Sequence, residues 1–244
     1  MSAQALRALH QPGQPLVLPN AWDAESARLV ADAGFPVVAT SSTAVAASLG
    51  YPDGNQTPPD EVFAALARIT RRVDVPVTAD LEGGYGLSAT ELVDRMATAG
   101  VVGLNFEDTN YDGEPGLTDI SRQADRIAAI KAAGPDVVLN ARIDVFLPRI
   151  GIPEQDQVAE SLRRARAYVA AGADCVYPIF MAEPAAISAY VKEISAPLNV
   201  LLRPGAPSVA ELATLGVGRI SLGGGLMSVV RDTISAELKR LAGS

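Results

Sequence analysis

Three features of the sequence predict an α/β chain folded as one (β/α)8 barrel. Short β-branched runs alternate with longer helix-patterned stretches almost to the last residue. The runs are apolar without strict alternation, as strands buried on both faces are. The length of 244 residues lies close to the roughly 250 typical of one such barrel. An open, doubly wound parallel sheet shares the alternation and is the runner-up, but eight units favour closure. The expectation is one domain over residues 1–244, without a linker or a low-complexity segment.

The first strand, Leu16–Leu18, feeds a helix over Asp23–Ala33. Val37–Thr40 is followed by a long connection, Ser41–Pro59, whose middle (TAVAASLG) can form a helical turn, and then by a helix over Asp60–Arg72. Val75–Ala79 precedes Thr90–Ala99, and Val102–Phe106 precedes Arg122–Ala133. Val137–Ala141 leads to Gln157–Ala171, where Val158, Leu162, Ala165 and Val169 recur at helical spacing. Cys175–Ile179, Asn199–Leu202 and Arg219–Leu222 pair with Pro184–Ile194, Ser208–Leu215 and Met227–Leu241. Small-residue punctuation precedes several strands (AGFPVV, AGVVGL, AGPDVV, AGADCV, LGVGRI), where a glycine at positive φ can end a helix.

A net charge of −8 without any basic run makes nucleic acid and anionic membranes poor partners. One Cys and one His exclude an intrachain disulfide framework. The opening MSAQALRALHQPG lacks the apolar core of a signal peptide, and no apolar run nears the ~18 residues of a membrane span. The expected location is the cytoplasm.

Active sites of this fold lie at the C-terminal ends of the strands, so the residues that follow each strand are the candidates. The first end offers Asn20, Trp22 and Asp23, with Trp22 either lining a site or packing at the rim. The second offers Ser41, Ser42 and Thr43, then Asp53; a hydroxyl-bearing strand-to-helix turn either holds a carboxylate or phosphate or caps the helix. The third offers Asp80 and Glu82, two apart and able to share one face. The fourth offers Asn105, Glu107 and Asp108, and the fifth Arg142 and Asp144. Tyr177, Arg203 and Gly223–Gly225 follow the sixth, seventh and eighth. Asp80, Glu82, Glu107 and Asp53 can surround one hard cation: Mg²⁺ needs few direct carboxylates and keeps several waters. Arg142 ends a buried strand and needs an anionic partner, a rim carboxylate or a substrate oxyanion. The loop from Glu107 to Ile120, EDTNYDGEPGLTDI, is long and polar, and reads as a mobile gate. The glycines of Gly223–Gly225 bind an anion or simply turn tightly. His10 reads as a surface residue and Cys175 as a small core residue.

Taken together, LPNAWDAESARLVADAGF (Leu18 to Phe35), TSSTAVAASLGYPDG (Thr40 to Gly54), PVTADLEGGYG (Pro76 to Gly86), GLNFEDT (Gly103 to Thr109) and NARID (Asn140 to Asp144) resemble the isocitrate lyase/phosphoenolpyruvate mutase superfamily. The resemblance implies that Asp80 touches Mg²⁺, with Mn²⁺ as an alternative ion, and that Asp53, Glu82 and Glu107 hold its waters. It implies that Ser41, Ser42 and Thr43 bind a substrate carboxylate and that Arg142 binds an oxygen of the reacting group. It also implies a last helix exchanged between paired subunits of a tetramer, a dimer of dimers. The chain departs from the family's lyases in lacking the Lys and Cys of their loop after the fourth strand and the glutamate after the sixth, where YPIF stands. It also lacks the mutases' histidine in that region and the Lys-bearing E-D-K form of the phosphonate enzymes. The expected activity is cleavage of a C–C bond in a small 2-oxo or 2-hydroxy dicarboxylic acid, oxaloacetate-like, through an enolate. Arg142, Asp53 and Glu107 are its expected catalytic residues, and Arg203 is the expected binder of a distal carboxylate. Phosphonopyruvate-type P–C cleavage and a non-catalytic 2-oxo acid binding protein are the alternatives.

Overall fold

A computed structural model of the chain describes residues 2–243. Its strands are β1 (Leu16–Leu18), β2 (Asn20–Ala21), β3 (Val38–Thr40), β4 (Val77–Asp80), β5 (Gly103–Glu107), β6 (Val138–Ile143), β7 (Cys175–Pro178), β8 (Asn199–Leu201) and β9 (Arg219–Ser221). Every neighbouring pair is parallel. Hydrogen bonding joins the strands in two runs, β1-β9-β8 and β2-β3-β4-β5-β6-β7. Pro19 separates β1 from β2, because proline has no N–H to give the ladder. One run of chain therefore serves both sheets, and a parallel bridge from Val176 to Leu198 joins β7 to β8. With β1 and β2 as halves of one strand, eight parallel strands close the expected ring, not an open sheet.

Helices α2 (Ala24–Asp32), α4 (Pro59–Arg72), α5 (Ala89–Ala99), α6 (Ile120–Ala133), α7 (Glu154–Ala170), α8 (Pro184–Glu193) and α9 (Val209–Thr214) follow the strands as the patterning predicts. Reciprocal capping boxes open α2 (Asp23 with Ser26), α5 (Ser88 with Glu91) and α9 (Ser208 with Glu211). Gly100 ends α5 at φ 75, as the punctuation predicts. At Gly134 the reason differs: φ is −139, and a Cβ there would stand 2.7 Å from a Val93 methyl. The core fills the space between the ring and the helices, with Leu66, Ile69, Leu92, Met96, Leu104, Phe106 and Tyr168 fully buried.

Several strands end later than the apolar runs suggest: β4 includes Asp80 and β5 includes Glu107. Pairing with their neighbours keeps these polar residues in register. The connection after β3 holds a full helix, α3 (Ser42–Leu49), rather than one turn. A short helix outside the expected set, α1 (Ala3–Ala8), packs Leu6 against Leu16, Leu18 and Val138. It also carries His10 inward, so the expected surface position is wrong: His10 is only 8% exposed, with Nδ1 against the Leu6 carbonyl at 2.9 Å and Nε2 facing Arg219 Nη1 at 3.4 Å. Cys175 is buried as expected. The last helix, α10 (Gly225–Ala242), buries no residue and leaves Val229, Val230, Ile234, Leu238 and Leu241 exposed. Among the described residues, no helix is long and apolar enough to cross a membrane.

Candidate active site

Parallel pairing assembles the site. Asp80 pairs with Asn105, and Glu107 pairs with Arg142, so β4, β5 and β6 end in adjoining acids and a guanidinium. The Asp80 Oδ2 accepts bonds from the Ser42 N–H (3.2 Å) and hydroxyl (2.8 Å), which ties α3 to β4. Its Oδ1 is buried without any hydrogen-bond partner. A buried carboxylate oxygen left bare is costly in a folded protein unless a cation or substrate completes it.

Glu82 follows β4 in the left-handed region at φ 48, a conformation costing on the order of 1 kcal/mol for a residue with a Cβ. That turn swings its carboxylate under the chain after Asp53. Its Oε2 accepts the Gly54 N–H at 3.0 Å and the Asn55 N–H, and its Oε1 the Tyr85 hydroxyl at 3.1 Å. Burial pushes the Glu82 carboxyl up to about 7; the Asn55 N–H opposes this, and the charges of Asp80 and Asp53 add to it. Burial also drives Glu107 well above the usual carboxylate range against the pull of Arg142, with Asp144 and Asp80 raising it further. Both carboxyls are thus held toward their neutral form, first by burial and then by the neighbouring acids.

Arg142 faces these acids. Its Nη1 lies 2.5 Å from Glu107 Oε2, while Nε and Nη2 hold the two Asp144 oxygens at 2.7 and 3.2 Å. Burial works against its charge, but Asp144 and Glu107 keep the guanidinium protonated more firmly than usual. Asp144, fully buried, is the platform for this arrangement. Its N–H donates to Asp108 Oδ1 at 2.8 Å, and Asp108 in turn accepts Arg164 Nη1 at 2.9 Å and the Tyr168 hydroxyl at 2.8 Å. Burial and Asp144 raise Asp108 to about 6, with Arg164 opposing.

Above these groups lies a cavity of about 430 Å³ lined by Ser42, Asp53, Glu82, Glu107 and Arg142. The loop after β5 forms its roof. An antiparallel bridge from Thr109 to Leu117 and bonds from Asn110 N to Gly116 O (2.9 Å) and Thr118 N to Asp108 O (2.8 Å) fold it into a hairpin-like cover. Tyr111 hangs from this cover and donates its hydroxyl to Glu107 Oε1. Its ring lies so close to Gly83 that a Cβ there would meet it at 2.7 Å. Arg149, on a 3-10 turn over Pro148–Ile150, completes the wall beside Thr109.

The expected residues divide. Asp53, Glu82, Glu107 and Arg142 line the cavity with Ser42; Asp80 is outside the lining and joins the group through its bond to Ser42. Thr43 reaches the group indirectly, donating its hydroxyl to Asp53 Oδ2 at 2.8 Å. Ser41 takes the capping alternative: its Oγ accepts the Ala44 N–H at 3.5 Å at the start of α3. Trp22 is half-buried and outside the cavity lining, its N–H donating to Ser26 Oγ at 3.0 Å in the cap of α2. Arg203 does not line the cavity either; it lies over the Phe180 ring at 5.4 Å and donates to the Phe180 carbonyl at 3.4 Å. Gly223–Gly225 turn the chain into α10. Among the described residues, no three acidic, histidine or cysteine side chains form a direct ligand set for a metal ion. The donor set fits a cation that takes one or two carboxylates directly and the others through water. Residues the sequence reading missed are Tyr111 and Arg149. Tyr111 was visible as the one aromatic of the candidate loop; Arg149 had no signal beyond following NARID.

The chain matches the family profile described as phosphoenolpyruvate phosphomutase over residues 6–242. It is 34% identical to an oxaloacetate decarboxylase of Ectopseudomonas mendocina (strain ymp), over 87% of this chain and 75% of that one. Among solved structures, a protein of Burkholderia cenocepacia J2315 named as a candidate phosphonomutase superposes with a TM-score of 0.90 at 41% identity, covering 98% of this chain and 99% of its own. A phosphonopyruvate hydrolase solved with oxalate and Mg²⁺ superposes with a TM-score of 0.81 at 27% identity, covering 100% of this chain and 89% of its own. The chain belongs to the phosphoenolpyruvate phosphomutase family, within the isocitrate lyase/PEP mutase superfamily.

Proposed function

We propose that the protein is a Mg²⁺-dependent lyase or hydrolase that cleaves a C–C bond of a small, oxaloacetate-like 2-oxo or 2-hydroxy dicarboxylic acid through an enolate. The observation that carries the reading is the bare, buried Oδ1 of Asp80, a carboxylate held by Ser42 of the wall of a cavity that Glu82, Glu107 and Arg142 also line. Asp80 would hold the ion directly, with Glu82, Glu107 and Asp53 reaching it through water, and Mn²⁺ could replace Mg²⁺. When bound, the ion would supply Lewis-acid stabilisation of enolate charge. The Ser42 N–H and hydroxyl fix the orientation of the Asp80 carboxylate from the α3 side. Arg142, already aligned by Asp144, offers its guanidinium to the developing oxyanion without having to reorganise. The Thr109–Leu117 cover keeps water from the enolate, and Tyr111 closes it over Glu107.

The relation to an oxaloacetate decarboxylase favours a C–C bond. The relation to a candidate phosphonomutase supports P–C cleavage as the second reading. A panel of 2-oxo and 2-hydroxy dicarboxylic acids with Mg²⁺, followed by pyruvate release, tests the first; phosphate release from phosphonopyruvate tests the second. Silence across the panel together with tight, Mg²⁺-dependent binding of oxalate would leave a 2-oxo acid binding protein. The open apolar face of α10 supports self-association, with that helix exchanged between two copies and the pairs doubled into a tetramer.

A further inference from the structure

We propose that Arg149 reads a second anionic group on the substrate, so that the site selects 2-oxo dicarboxylates over 2-oxo monocarboxylates. This rests on the reading of the cavity as a 2-oxo acid site and names what lies beyond the 2-oxo head. The cavity has two guanidiniums, Arg142 and Arg149. Arg142 directs all three nitrogens at Glu107 and Asp144 and is 12% exposed, so it has little left for a second charge. Arg149 is the opposite case. Its side chain is 57% exposed, and only Nη2 is engaged, with Thr109 Oγ1 at 3.1 Å and Asp144 Oδ2 at 3.6 Å. Its Nε and Nη1 have no hydrogen-bond partner among the described residues.

Position supports the same role. Ser42 and Asp80, which mark the head position in that reading, follow and end β3 and β4; Arg149 follows β6, farther round the sheet. A substrate whose head lies at Asp80 must extend beneath the cover to reach it. Arg149 is also held in place. Thr109 belongs to the cover, Asp144 is fixed by Asp108, and Pro148 begins the turn. A guanidinium with a free edge, steadied at its other edge, suits a carboxylate. Arg203, the residue expected to do this from sequence, stands outside the cavity on Phe180.

The test uses the full-length protein with Mg²⁺ and two probes in calorimetry. Oxalate occupies the head position alone, and 3,3-difluorooxaloacetate adds a distal carboxylate. Arg149→Gln should weaken difluorooxaloacetate about tenfold or more, the scale of one lost charge-assisted bond, and leave oxalate within about twofold. Arg149→Lys should recover part of the loss. Unchanged difluorooxaloacetate binding in Arg149→Gln overturns the proposal. An equal loss of both probes also overturns it, because Arg149 would then only brace the cover. Failure of the wild type to bind oxalate overturns the 2-oxo acid reading, and this proposal with it.

Discussion

Replacing Arg142 with lysine separates the two roles this residue can have. Arg142 makes three contacts with two carboxylates, at 2.5, 2.7 and 3.2 Å. An ammonium is a compact donor and reaches one of the carboxylates, leaving the bidentate hold on Asp144 broken. Removing a partner of a buried ion pair costs about 3–5 kcal/mol; with the charge kept and one contact retained, roughly half of that, about 2 kcal/mol, is the expected loss. Unfolding entropy near 2.1 cal/mol/K per residue gives about 0.5 kcal/mol/K for a chain of 244 residues. The melting temperature should therefore fall by about 4 °C, as read by calorimetry. If Arg142 also stabilises the enolate, kcat on the acid that the panel identifies should drop on the order of 100-fold, with KM changed much less. A fall in melting temperature of the size worked here, with kcat within a few-fold of wild type, would leave only the ion-pair role and refute the catalytic one.

Asp80→Ala should abolish Mg²⁺ binding in calorimetry, since it deletes the bare, buried oxygen; unchanged Mg²⁺ affinity would sink the metal assignment. Gly83→Ala places a methyl against the Tyr111 ring, so proteolysis within residues 107–120 should quicken, whereas Mg²⁺ with oxalate should slow it in the wild type; equal cleavage in all three states argues against a gate. His10 is neutral in the fold because burial first, and Arg219 second, lower its pKa from the ordinary 6.5 to about 4, with Arg7 adding to this and the Leu6 carbonyl and Asp174 opposing it. A lowered histidine pKa makes its stabilising contribution complete above pH 6.5 and lost as pH falls toward 4, roughly 3 kcal/mol in all. His10→Gln should flatten the melting curve across that window relative to wild type, and parallel curves would refute it. Glutamates at Ile234 and Leu238 together should lower the oligomeric state seen by light scattering, and an unchanged mass would exclude α10 as the interface.

The ring of strands was legible because each strand is a run of small and β-branched residues between helices with clear caps. Pro19 was the exception, since a split strand reads as a short one. The acids of the site were legible because their positions follow from where strands end. The error there was instructive: the apolar runs stop at Ala79 and Phe106, but the ladder continues through Asp80 and Glu107 because backbone pairing is indifferent to side-chain polarity. Roles that depend on direction were not legible. Ser41, Ser42 and Thr43 are consecutive hydroxyl residues, yet α3 sends one to its own cap, one to Asp80 and one to Asp53. Arg203 and Arg149 each follow a strand, and only the path of the chain between Asp144 and Gly151 puts the second in the cavity. His10 shows the same limit: a lone polar residue beside QPG reads as surface until α1 turns it toward Arg219.

The least legible part of the molecule is the support beneath the site. Arg164 sits in ESLRRARAY, where three arginines on a helix read as a solvated face. In the fold it is buried, binding Asp108 and the Thr118 carbonyl at 2.9 Å each while Glu160 holds its Nε at 2.8 Å. Through Asp108 it fixes the Asp144 backbone, and through Thr118 it fixes the far end of the cover. An apolar contact in that place would fill the same volume but leave Asp144 free to rotate. Hydrogen bonds impose direction, and Asp144 has two guanidiniums to hold, Arg142 and Arg149. That two-sided demand is a physical reason for so many charges to be buried behind a cavity that is itself acidic, rather than packed as core.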